Sequence, residues 1–289
     1  MTEQGNRIES IHPETRLGAV ALMTSNLARS IDFYQDVIGL RVQQRKGRVA
    51  VLGTSQSELL ILQEKPGARI APRRTGLYHF NFLLPTRLAL AQSLHRLIET
   101  RTLITGFMDQ GVSEAIYIAD PDGYGISLTC DRPRSMWSNF NGELVIRLNP
   151  LDVDGLLSER DDASQKWGML PESTRIGSVN LNVNDLDQAE AFYCGVLGFR
   201  DTAELPGARF ICAGDYHHHI CLNTWSGRGA LPPPPEALQM IALEILLPDS
   251  TALGALRARM AQAEIAAEMW HTGWLIHDPS QNPILLRVK

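Results

Sequence analysis

Three consecutive histidines, His217-His218-His219, hold more potential chemistry than any other stretch of this chain. Neutral imidazoles bind metals and carry protons near neutral pH. On a strand, side chains alternate between faces, so His217 and His219 would share one face and His218 the other. Only His217 and His219 could therefore converge on one metal ion, and the whole run could not. His271 and His277 could join them, with Glu244 as a carboxylate. His79 stands alone in the apolar stretch YHFNFLL (78–84), where a single imidazole reads first as a hydrogen-bonded core residue. Asp120-Pro121-Asp122-Gly123 and its counterpart Asp278-Pro279-Ser280-Gln281-Asn282 lack the alternating oxygen ligands of a calcium loop. They read as turns, with proline fixing φ in both and glycine supplying positive φ in the first. Arg132, Arg134 and Trp137 read as a solvated segment pinned by one tryptophan, and no P-loop, GxSxG or dinucleotide fingerprint is present.

The elements that must position these residues come from a duplication. Residues 15–41 (TRLGAVALMTSNLARSIDFYQDVIGLR) recur without a gap at 174–200 (TRIGSVNLNVNDLDQAEAFYCGVLGFR), with eleven of 27 positions identical. A period this long means a repeated domain and not a solenoid. In each copy, alternating apolar residues after Gly18 or Gly177 predict a strand. Asn26 or Asp185 then stands as a helix cap, and Gly39 or Gly198 ends the helix. Short apolar runs over 41–63 predict three antiparallel strands. A second βα unit follows, with a strand at 78–84, a helix at 88–100 and strands near 115–118 and 126–129. The later half repeats the plan, so the chain holds four βαβββ modules. The boundaries are a tail (1–14), an N-terminal domain of two modules (15–135), a linker with a short helix near 153–157 (136–173), and a C-terminal domain of two modules (174–289).

Composition narrows the partners. An apolar share of 44% and a formal net charge of −5 are ordinary for a globular protein and give no reason to expect nucleic acid or an anionic membrane. No apolar run is long enough to span a bilayer, and the first ten residues lack the order of a secretory signal. Four scattered cysteines without CxxC spacing fit free thiols in a reducing cytoplasm.

Four βαβββ modules, the G-x-V-x-L opening with its FY…VLGF-type helix in both halves, DQGVSEAIYIADPDGYGISL followed by DRPRSMW, and YHHHICLNTW with GALPPPP together resemble the vicinal oxygen chelate superfamily. That superfamily includes glyoxalase I, bleomycin-resistance proteins and extradiol dioxygenases, and the likeness is greatest to its two-domain catechol 2,3-dioxygenase-like branch. The resemblance implies an α+β fold of four modules paired into two tandem domains, each an open barrel around a cavity. Ring-cleaving members hold Fe(II) with two His and one carboxylate. By motif, the first ligand position falls at Ala19 or Ala21, the second at His79 and the carboxylate at Ser127; the second half offers Ser178 or Asn180, then Ala242 and Leu285. The family's acid–base histidine is here Gln110, while its ring-facing tyrosine persists as Tyr117. The expectation is therefore a cavity lined by His79, Gln110, Tyr117, Ala19, Ala21, Ser127, His217 and His219, with no metal ligands and no cofactor. It would bind or transform a small aromatic or amphipathic molecule. The alternatives are a non-catalytic sequestration protein or a ring-cleaving dioxygenase with a displaced metal, and a homo-oligomer is compatible with any of them.

Overall fold

The computed structural model describes residues 9–140, 143–159 and 168–289. Each module begins with a long strand. The first module comprises β1 (Arg16–Thr24), α1 (Leu27–Phe33), β2 (Arg41–Lys46), β3 (Val49–Gly53) and β4 (Glu58–Glu64). The second comprises β5 (Gly76–Leu84), α2 (Arg87–Glu99), β6 (Ile104–Asp109), β7 (Ser113–Ala119) and β8 (Gly125–Asp131). A two-stranded pair, β9 (Asn139–Phe140) and β10 (Glu143–Leu144), and α3 (Val153–Leu157) lie in the connection, where a short helix was expected. The third module holds β11 (Arg175–Asn182), α4 (Leu186–Glu190), β12 (Arg200–Leu205), β13 (Ala208–Cys212) and β14 (Ile220–Asn223). The fourth holds β15 (Met240–Leu247), α5 (Ser250–Gln262), β16 (Glu268–Trp270), β17 (Gly273–His277) and β18 (Pro283–Val288). Of the expected tail, residues 1–8 lie outside the described residues. Its end docks: Ile11 is buried and donates its N–H to Gly198 O at 2.8 Å.

The repeat's local chemistry appears twice. Asn26 and Asp185 are extended, and each accepts a hydrogen bond at 3.0 Å from a backbone N–H of the first turn, Arg29 and Gln188. Both helices then widen into a π turn, Tyr34–Ile38 and Ala191–Val196. Gly39 and Gly198 follow at φ of 89° and 84°, a conformation that glycine adopts without a Cβ penalty. The π turns carry two fully buried tyrosines, Tyr34 and Tyr193. Their hydroxyls donate to the turn aspartates of the next module, Tyr34 to Asp120 at 3.0 Å and Tyr193 to Asp278 at 3.1 Å. Each aspartate also caps its own turn with the other oxygen. Both DP turns are thus structural.

Helix-to-turn contacts join consecutive modules, but the strands pair differently. One eight-stranded sheet runs β16-β17-β18-β15-β1-β4-β3-β2 and the other β12-β13-β14-β11-β5-β8-β7-β6. The first module therefore shares a sheet with the fourth, and the second with the third. Two sheets of paired modules are the expected architecture. The partners are not the sequence neighbours on which the site assignment rested. The glycines of the repeated opening explain how the central strands meet. A Cβ on Gly18 would lie 2.6 Å from Glu244 Oε2, and one on Gly177 would lie 2.7 Å from Leu83 Cβ. Both positions coincide with a register shift, between Leu17 and Val20 on β15 and between Ile176 and Val179 on β5. Only a missing side chain lets the partner strand come this close.

Candidate functional site

The pairing of β5 with β11 brings together residues from the two halves of the sequence. His79 stands opposite Asn180, Asn180 opposite Cys221, and Cys221 opposite Phe210. On the other side His79 pairs with Gly125. Residues opposed across a sheet share a face, so one row crosses five strands on the same side. Two residues further along, Asn81, Ser127 and Tyr117 form a second row on that face. These rows back a cavity of about 610 Å³, walled by His79, Tyr117, Ser178, Asn180, Phe210, Cys221 and others. Gly125 lets β8 lie close to β5 here, because a Cβ there would meet Tyr78 O at 2.6 Å and His79 Cβ at 2.8 Å.

Polar groups in this wall are few and mostly tied. Gln110 donates through Nε2 to Tyr117 Oη at 3.2 Å, and its Oε1 accepts from Ser113 at 3.0 Å. Asn223 donates to Asn180 Oδ1. Behind them, Thr129 donates to Asn81, which donates to Ser178. The His79 ring has no hydrogen-bond partner among the described residues, contrary to the expected bonded core histidine; it packs edge-on against Tyr117 at 5.6 Å. Burial drives its pKa down to about 4, so the ring is neutral at pH 7. Burial also pushes the Tyr117 hydroxyl up to about 12, keeping it a donor. The Cys221 thiol is likewise raised by burial, and so held as the unreactive thiol.

Several expected members lie elsewhere. Ala19 and Ala21 are in the other sheet, because β1 pairs with β15 and not with β5. Ala21 faces Ala242 and packs with Leu285, and the Ala19 N–H donates to Glu244 Oε2 at 3.1 Å. Asn180 of the second copy stands opposite His79, and Ser178 lines the same cavity. Ser127 shares the right face but is buried beneath the cavity. The histidine run is not strand, since β14 starts only at Ile220. Alternation from Cys221 would aim His219 and His217 inward, yet the irregular backbone shifts the phase by one and His218 lines the cavity. His219 accepts from the Ala213 N–H, and His217 contacts Asp131 and His218. His271, His277 and Glu244 belong to the other sheet, so they do not complete a cluster with this run. Among the described residues, no group of three or more His, Cys, Asp or Glu side chains is placed to hold a metal ion. Sequence reasoning missed Phe210, Cys221, Trp225 and His218 as wall residues, and nothing in their local pattern marks them.

With this geometry in hand, the family model of the Glyoxalase/Bleomycin resistance protein/Dioxygenase superfamily matches residues 16–128 and 175–283. Catechol-2,3-dioxygenase of Bacillus subtilis (strain 168) is 42% identical over 276 residues, covering 93% of this chain and 96% of that protein. Among solved structures, a protein from Bacillus subtilis subsp. subtilis str. 168, provisionally assigned as a dioxygenase, superposes with a TM-score of 0.68 at 12% identity, over 97% of this chain and 86% of that one. Glyoxalase I from Zea mays gives 0.58 at 16% identity, over 94% and 92%. At such identities the structural likeness speaks for the fold alone. No described helix is long and apolar enough to cross a membrane.

Proposed function

Because the chain belongs to the Glyoxalase/Bleomycin resistance protein/Dioxygenase superfamily, we propose that the cavity of the second and third modules binds a small aromatic or amphipathic compound without the ferrous ion of ring-cleaving members. The observation that carries this reading is the donor set where the paired strands meet. It consists of His79, the Asn180 amide or Ser178 hydroxyl, and the Ser127 hydroxyl. A ferrous site of the family's kind takes two imidazoles and one carboxylate. One imidazole remains at these positions, the Asn180 oxygen is already held by Asn223, and although His218 also lines the cavity, no carboxylate stands in its wall. These residues do not fit Fe(II). Gln110, at the acid–base position, cannot move protons at neutral pH. What is left is a largely apolar cavity with a few orienting polar groups, the usual form of a small-molecule site.

Trp225 borders the cavity, so quenching of its fluorescence by catechol, with and without chelator, measures binding. Binding that ignores the chelator supports the proposal. The 42% identity to a catechol-2,3-dioxygenase favours a second reading, a ring-cleaving enzyme. Protein purified anaerobically with iron and then given catechol and oxygen separates the two. Near-stoichiometric iron with ring opening would refute the metal-free reading. Iron gained only by the triple variant Asn180→His, Gln110→His, Ser127→Glu, or by the same triple with Ser178→His as its first member, would support it.

A further inference from the structure

Behind the cavity wall, a carboxylate and two imidazoles form a continuous chain. Asp131 Oδ1 lies 3.0 Å from His217 Nε2, and His217 Nδ1 lies 2.8 Å from His218 Nδ1. All three histidines of the run are buried, and His218 is the one that reaches the cavity. The His217 ring is fixed between Tyr216, 4.0 Å away by centroids, and the edge of Trp137 at 5.1 Å. Tyr216 also donates to the other Asp131 oxygen at 2.9 Å, holding the carboxylate in place.

The order of donors along this chain follows from its anchored end. An ionised carboxylate only accepts, so His217 must carry its hydrogen on Nε2. A neutral His217 then has a lone pair on Nδ1. The short contact to His218 is a hydrogen bond only if His218 carries its hydrogen on Nδ1. Its Nε2 is left as a lone pair. Burial holds the His218 pKa well below the usual histidine range, consistent with a neutral ring.

We infer that Asp131, acting through His217, fixes the tautomer of His218 so that the cavity presents a hydrogen-bond acceptor and selects ligands bearing an acidic hydroxyl, of the phenol class. The selection rests on the cavity being a small-molecule site. Tyr117 supplies the complement. Its oxygen already accepts from Gln110, so its own hydrogen is free to donate. An aromatic ring with one hydroxyl to give and one oxygen to receive matches both groups. Asp131 and His217 are positioning residues, since neither needs to touch the ligand.

Long-range ¹H–¹⁵N spectra of the histidine rings read the tautomer without any ligand, with His218→Gln providing the assignment. The expected result is Nδ1–H on His218 in the native protein. Asp131→Asn can offer its amide hydrogen to His217 Nε2 and reverse the chain, moving the His218 hydrogen to Nε2. Tyr216→Phe keeps the carboxylate and should keep the native tautomer. 4-Nitrophenol and its methyl ether, 4-nitroanisole, titrated against Trp225 fluorescence, read the selection. Asp131→Asn should weaken the phenol by about tenfold or more and leave the ether unchanged, as loss of one buried hydrogen bond implies. An Nε2–H tautomer in the native protein, or an unchanged phenol-to-ether ratio in Asp131→Asn, overturns the inference. If neither probe binds the native protein, the small-molecule reading of the cavity and the selection both fail, and the spectra still decide the relay.

Discussion

Replacing His79 by glutamine should make the protein more resistant to acid. The folded state holds this imidazole at a pKa of about 4 through burial, against an ordinary value of 6.5. A lowered folded pKa in a base means the unfolded chain binds the proton more readily. The stability contributed by the neutral ring is therefore fully present above 6.5 and is lost as pH falls from there toward 4. The full loss is about 3 kcal/mol, from 1.36 kcal/mol for each unit of difference. Between pH 7 and about pH 5 the linkage relation gives about 2 kcal/mol. The exposed part of His79 faces the cavity, and burial of the ring is the cause of the lowered pKa. Asp120 acts in the opposite direction, because burial raises its carboxyl to about 6, but it does so equally in both proteins and cancels. Urea unfolding of native and His79→Gln protein at the two pH values measures the difference. The native protein should lose about 2 kcal/mol more than the variant on acidification. Equal losses would show that His79 titrates as a solvated imidazole, and the picture of a dry cavity wall would fall.

Tyr34→Phe should lower stability by about 1–3 kcal/mol by depriving buried Asp120 of a donor, and Tyr193→Phe should do the same at Asp278. Since the Tyr34 bond lowers the Asp120 pKa, the Tyr34→Phe penalty should be larger at pH 8 than at pH 5, measured by chemical unfolding. Gly177→Ala should cost about 1–3 kcal/mol or more by forcing β11 away from Leu83, read as a drop in Tm. Gly47→Ala, in a turn at φ 56° with nothing within 4 Å, should cost only about 1 kcal/mol, from backbone conformation alone.

The caps, glycine stops and DP turns were legible because each depends on neighbours within a few residues. Asn26, Asp185, Gly39 and Gly198 need nothing from the rest of the chain. The four-module plan was legible for a similar reason, since a gapless repeat reports equivalence directly. Equivalence does not report partnership. β1 and β11 carry the same opening pattern, so nothing local distinguishes β5 from β15 as the neighbour of either. That choice is made by long-range packing, and it moved the site from Ala19 and Ala21 to Ser178 and Asn180. The histidine run failed differently. Alternation holds only where backbone pairing holds, and the residues before Ile220 are unpaired as strand, so the inward side chain became His218.

The bracketed pairing of the modules, second with third inside first with fourth, also sets an order of assembly during synthesis. The cavity-bearing sheet needs only the chain from Gly76 to Asn223, which emerges as one continuous piece. The outer sheet cannot close until β18 is made, so β1 must wait beside an unfilled place for β15. A strand edge left open in this way is a template for wrong partners, and closing over so long an intervening chain slows the final step. The sheet that carries the cavity is finished first, and the exposure to misassembly falls on the sheet whose interior is filled by Ala21, Ala242 and Leu285.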